Sequence, residues 1–168
     1  MDINRVWAMP NKWTFAITPI RNLIEVYAGN GGNWIDPFSG QSSIAEKSND
    51  IDPATPAEFH MDGLDYLKGF STGIWSGVLF DPPYSLRQIK ELYNDKGHAV
   101  SMRITEYKKE IARLVRPGGY VIRAGWSSNG IGKKYGFALR EILLVAHGSE
   151  HNDTIVTVEK RVQNRKVN

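Results

Sequence analysis

The chain has no cysteine in its 168 residues. That excludes a disulfide framework, cysteine-ligated zinc and any mechanism built on a thiolate nucleophile. It also lacks an apolar run long enough to cross a bilayer and a secretory n-region with its h-region, so the expectation is a cytoplasmic protein away from the membrane. The four histidines, His60, His98, His147 and His151, are dispersed without ligand-like spacing, and no metal is expected. Internal repeats, low-complexity tracts and linkers are missing too. What is present is 41% hydrophobic residues, enough for one globular domain over residues 1–168 with a substantial core. The net charge of +3 permits contact with phosphates without requiring it. Lys133-Lys134 and the C-terminal Lys160, Arg161, Arg165 and Lys166 read equally as a basic face or as solvated surface.

Short apolar runs alternate with helical stretches, which predicts an α/β fold with a largely parallel sheet. Thr18-Pro19 reads as the cap of a first helix, with Ile20, Leu23, Ile24 and Tyr27 on one face and glycine from Gly29 ending it. Asn33 to Asp36 reads as the first strand, Ser48 to Ile51 and Glu58 to Met61 as short strands, and Gly77 to Phe80 as the clearest one. Ser101 to Val115 predicts a helix stopped by Pro117-Gly118-Gly119, and Tyr120 to Ala124 a buried strand. Glu141 to Ala146 and Thr154 to Lys160, around a polar turn, predict an antiparallel hairpin. Trp7, Trp13 and Trp34 read as packing residues.

Ligands of open α/β sheets bind beyond the carboxyl ends of the strands, and the chemically useful residues fall at those ends. Asp36-Pro37-Phe38-Ser39-Gly40-Gln41-Ser42-Ser43 follows one strand with small residues whose amides suit a carboxylate. Asp50 or Asp52 follows the next, where an acid suits ribose hydroxyls, and Asp62 the third, where it suits an adenine amine or caps a helix. Asp81-Pro82-Pro83-Tyr84 follows the clearest strand; the plainer reading is a turn that ends it. Its chemistry goes further. An aromatic amine is a weak nucleophile because its lone pair is delocalised, so activation needs fixed acceptors for both N–H bonds. The Asp81 carboxylate and the Pro82 carbonyl supply them, the latter held by proline's fixed φ, and Tyr84 offers a ring for a flipped base. Without cysteine, methylation of cytosine carbon 5 through a covalent adduct is excluded.

Taken together, these segments resemble the class I, S-adenosylmethionine-dependent amino-methyltransferases, and within them the phage and bacterial DNA adenine-N6 enzymes with an Asp-Pro-Pro-Tyr loop. The likeness runs over nearly the whole chain, with Leu114 to Gly119 similar to the family's turn before strand five and Thr14 to Ile20 to its N-terminal segment. It implies a Rossmann-like, mostly parallel seven-stranded sheet whose last strand is antiparallel. It implies S-adenosylmethionine as cofactor, held by Phe15, Asp36, Pro37, Phe38, Ser39, Gly40, Asp50, Asp62 and Asp81, with Asp81, Pro82, Pro83 and Tyr84 catalytic. It also implies methyl transfer to adenine N6 in DNA, with RNA, cytosine N4 or a protein glutamine as other acceptors and a non-catalytic donor-binding subunit as the alternative role. The setting implied is the cytoplasm of a bacterial or phage-infected cell. Candidate substrate contacts are Tyr84, Arg87, Lys90 and Tyr93 beyond the catalytic loop, with Trp126 and Asn129 after the fifth strand. Two departures stand out: Ser42 replaces a glycine common in the donor loop, and no separate target-recognition domain fits in the chain. Recognition then falls to loops, a second copy of the chain or a partner subunit.

Overall fold

The computed structural model describes residues 1–83, 100–148 and 151–162. Seven strands form one sheet: β1 (Asp2–Trp7), β2 (Trp34–Asp36), β3 (Lys47–Ser48), β4 (Trp75–Phe80), β5 (Val115–Gly125), β6 (Phe137–Ala146) and β7 (Thr154–Arg161), in the spatial order β1-β6-β7-β5-β4-β2-β3. Only β7 runs antiparallel, against β5 on one side and β6 on the other. The described helices are α1 (Thr18–Ala28), α2 (Gly63–Lys68) and α3 (Val100–Leu114).

Alternation along the strands explains the layers. Val78 and Phe80 of β4 and Val121 of β5 join Leu64, Tyr66 and Leu67 of α2 and Tyr107, Ile111 and Leu114 of α3. Leu79, Ile122 and Ala124, between them, face the other way onto Ile20, Leu23 and Ile24 of α1. The result is helix, sheet, helix. Gly77 is required at its place in β4: a Cβ there would lie 2.5 Å from the ring of Trp34, itself buried on the neighbouring β2.

Several expectations need correction. The first strand is Asp2–Trp7, at an edge, paired only to β6. Its burial pattern is nearly all exposed, so it carries no alternating apolar signal, and Trp7 is 64% exposed instead of packed. Glu58 to Met61 contributes a single bridge, Asn49 to Phe59, and no strand. Thr18 makes no capping bond; Ile17 occupies the N-cap, α1 starts on Thr18, and Pro19 follows in the first turn, which suits its ring. Pro117-Gly118-Gly119 does not stop the helix. Val115 already pairs with Trp75, and the register then shifts before Gly77 meets Tyr120, so these residues form an irregularity within β5. Gly118 takes φ +83°, and a Cβ on Gly119 would lie 2.7 Å from the Ser76 carbonyl, which leaves glycine as the residue that fits.

The chain passes from β2 outward to β3 and then back across to β4 on the other side of β2. A crevice opens where the order reverses, beyond the carboxyl ends of β2 and β4. Asp36, fully buried, ends β2, and Asp81 follows β4 at the crevice.

Candidate active site

A cavity of about 260 Å³ lies at this switch point. Its walls come from four separate stretches: Lys12 to Ala16, Phe38 to Ile44, Asp81 to Pro83, and Gly125-Trp126, with Arg21 and Thr154 at the periphery. Asp81, Pro82, Pro83, Phe15, Phe38, Ser39, Gly40 and Trp126 line this one cavity, whereas Asp36 and Pro37, expected with them, do not. Tyr84, Arg87, Lys90 and Tyr93 lie outside the described residues. Asn129 is exposed on the loop after β5 and does not line the cavity.

The loop after β2 is shaped by its own side chains. Asp36, fully buried, accepts from the Phe38 amide at 2.9 Å through Oδ1, while Oδ2 has no hydrogen-bond partner among the described residues. The Ser39 amide donates to the Asn49 carbonyl at 2.9 Å, and the Gly40 amide to Asp50 Oδ2 at 3.0 Å. Asn49, fully buried, donates from Nδ2 to the Pro37 and Met61 carbonyls at 3.1 and 3.0 Å and accepts from the Met61 amide at 3.1 Å. Asn49 and Asp50 therefore bind the loop to the segment after β3. Gly40 has φ +53°, and a Cβ there would lie 2.5 Å from the Trp13 ring. Trp13, expected to pack, presses on the loop glycine and lines the cavity; Lys12 sits 4.9 Å above its ring.

Asp50 and Asp62 are placed differently from the loop residues, and neither lines the cavity. Asp50 Oδ1 accepts from the Asp52 amide while Oδ2 holds Gly40, which makes it a tie within the backbone. Asp62 is the N-cap of α2, accepting from Leu64 and Asp65 amides, and pairs with Arg103 at 3.2 Å. Each carboxylate keeps spare acceptor capacity.

Electrostatically, Asp36 beneath the loop and Asp81 in the cavity wall differ. Burial pushes the Asp36 carboxyl well above its usual range, and the neighbouring Asp81 and Asp50 push it further against the single Phe38 amide. Burial also raises Asp81, to about 6, while a hydrogen bond from the Thr14 side chain and the charge of Arg123 pull it back. Thr14 was noted only as part of the N-terminal segment, and Arg123 was not singled out at all. A charged residue in an apolar strand, Tyr120 to Ala124, was the signal available for it.

No protein-family model and no curated protein sequence matches the chain. Solved structures do match. A 1,6-didemethyltoxoflavin-N1-methyltransferase from Burkholderia thailandensis, bound to 1,6-didemethyltoxoflavin and S-adenosylhomocysteine, is similar at 11% identity and a TM-score of 0.63, over 86% of this chain and 77% of that one. TrmN from Thermus thermophilus is similar at 18% identity and a TM-score of 0.55, over 87% of this chain, which spans 49% of TrmN's. The N-methyltransferase NodS from Bradyrhizobium japonicum is similar at 9% identity and a TM-score of 0.51, covering 85% and 94%. The fold is that of the Rossmann-like, S-adenosylmethionine-dependent methyltransferases.

Proposed function

We propose that the chain is an S-adenosylmethionine-dependent methyltransferase that acts on the exocyclic N6 amine of adenine in DNA. The observation that carries this reading is one cavity shared by the Asp81-Pro82-Pro83 loop, the small-residue loop after β2 and the Thr14-Phe15 turn. The residues present fit the donor: Ser39 to Ser43 line the cavity next to the Asp81 carboxylate, and Gly40 leaves room for the Trp13 ring against this loop. Phe15, Phe38, Ser39, Gly40 and Asp81 would hold it, with Asp36 and Pro37 shaping the loop from beneath and Asp50 and Asp62 assigned to the adenosine end. When bound, S-adenosylmethionine supplies an electrophilic methyl group on a sulfonium.

The chain's own residues do the rest. Asp81 and the Pro82 carbonyl accept the two N–H bonds of the target amine and keep its lone pair directed into the cavity. Asp81 then draws the proton that the nitrogen sheds on methylation. Tyr84 stacks the extruded base, and Trp126, half exposed at the rim, contacts it from the other wall. Arg87, Lys90, Tyr93 and Asn129 are assigned to the nucleic acid, and a second copy or a partner subunit supplies further recognition. The setting is the cytoplasm of a bacterial or phage-infected cell.

Nucleoside mass spectrometry of unmethylated DNA, and separately RNA, incubated with protein and S-adenosylmethionine tests this, with Asp81→Ala as blank. N6-methyldeoxyadenosine in DNA alone is expected. A methylated base in RNA, or N4-methylcytosine, would replace adenine as the acceptor; no product in either polymer would overturn the reading.

A further inference from the structure

Buried His147 sits where three strand ends meet. It follows Ala146, the last residue of β6, which pairs with Trp7 at the end of β1, while the preceding Val145 pairs with Thr154 at the start of β7. Thr154 in turn lines the cavity, together with Gly125 and Trp126 at the end of β5. We propose that His147 is a positioning residue that fixes the Thr154 hydroxyl as a hydrogen-bond acceptor in the cavity wall, for an N–H group of the ligand bound there. The inference deepens the methyltransferase reading above and rests on it.

The two ring nitrogens have partners of different kinds. Nδ1 lies 2.9 Å from the Ala8 carbonyl, and Nε2 lies 2.8 Å from Thr154 Oγ1. A carbonyl oxygen can only accept, so Nδ1 carries a proton. The neutral ring has a single N–H, which leaves Nε2 bare to accept from the Thr154 hydroxyl. A hydroxyl whose proton is committed to a histidine has only lone pairs left to offer the cavity. Among the described residues, Thr154 Oγ1 has no other hydrogen-bond partner. The carbonyl that sets the ring is itself held to the sheet, since the Ala8 amide donates to the Ala146 carbonyl at 3.1 Å.

Other hydroxyls of the wall are spent within the chain. Ser39 donates to the Asn49 carbonyl at 3.3 Å, and Ser42 accepts from the Ile44 amide at 3.4 Å. Thr154 thus differs in being an acceptor of set direction. It suits an N–H group and opposes the lone pair of a ring nitrogen. The proposed reaction brings two carriers of N–H into one cavity: the ammonium at the amino-acid end of the donor, and the amine that takes the methyl group.

The ring and the contact are tested separately. Nitrogen NMR of isotope-labelled protein at about pH 8 should find the His147 proton on Nδ1, and a proton on Nε2 would overturn the inference. Calorimetry with S-adenosylhomocysteine and the KM for DNA read the contact. Thr154→Val should weaken one of them about tenfold, and Thr154→Ser should keep the wild-type value. Weaker S-adenosylhomocysteine binding, with unchanged binding of methylthioadenosine, which lacks the amino-acid end, assigns the contact to the ammonium. A raised KM for DNA assigns it to the amine. His147→Leu should lose part of the same effect, and the double variant no more than Thr154→Val alone, because the ring acts through the hydroxyl. Unchanged binding and KM in Thr154→Val, or losses that add in the double variant, would overturn the inference and make His147 a packing residue. Should the wild type bind S-adenosylhomocysteine yet methylate no DNA, the adenine reading falls and calorimetry decides alone: weakened binding by Thr154→Val supports the inference, and unchanged binding overturns it. A wild type that binds no S-adenosylhomocysteine overturns both. Should His147→Leu fail to fold, NMR and Thr154→Val carry the decision.

Discussion

Burial raises the Asp81 carboxyl from 3.8 to about 6, and this has a cost in stability as well as a use in chemistry. The native state holds the proton more tightly than the unfolded chain does. The contribution of Asp81 to stability is therefore most favourable below about pH 4, falls as pH rises from the unfolded value to about 6, and is level above that. Asparagine keeps the shape and carries no charge. Asp81→Asn should abolish methyl transfer and stabilise the protein at pH 7.5, by on the order of 1–2 kcal/mol, with the gain vanishing near pH 4. Thermal melts at both pH values check this; an equal effect at both would mean that charge burial is not the cause. The motif Asp81-Pro82-Pro83 could be read in the sequence because it pairs unusual chemistry with a strong preceding strand. The parts of Trp13 and Thr14 could not, because each acquires its role from a neighbour more than twenty positions away.

Among the elements, the loop after β2 is held from outside itself. Asn49 satisfies three backbone groups, of Pro37 and Met61, from a fully buried position. Replacing it with alanine leaves those groups without partners and should cost about 3 kcal/mol in urea unfolding. Asn49→Ala should also weaken S-adenosylmethionine binding about tenfold by calorimetry, since the loop lines the cavity. A loss of binding without loss of stability would mean that Asn49 touches the donor and does not hold the loop. The helices and inner strands were legible because α1, β4, β5 and the β6–β7 hairpin have apolar periods that tertiary packing reinforces. The irregularity at Pro117-Gly118-Gly119 was read as a helix stop, because proline and glycine report only that regular structure is interrupted. They do not say whether the interruption falls between elements or inside one.

For the whole molecule, the expected seven-stranded sheet with one antiparallel strand is what is found, though one edge is filled differently. The segment around Phe59 gives a bridge, and β1 closes the count from the opposite edge. Only Val6 of β1 packs against the core, while Ile3 and Trp7 are exposed. Removing residues 1–7 should therefore leave β6 as the new edge with the cavity intact, at a loss of about 1–2 kcal/mol in urea unfolding. A chain that no longer unfolds cooperatively would show that β1 is needed for the core itself.

The pairing of β1 with β6 also has a consequence during synthesis. Asn4 bonds Glu141, 137 positions later. At about 5–20 residues per second, β1 leaves the ribosome roughly 7–27 s before its partner has been made. Through that interval Ile3, Val6 and Trp7 sit on an extended segment with open backbone groups on both sides. Yield on overexpression should then depend on translation speed and on holding chaperones more than on the stability of the finished molecule.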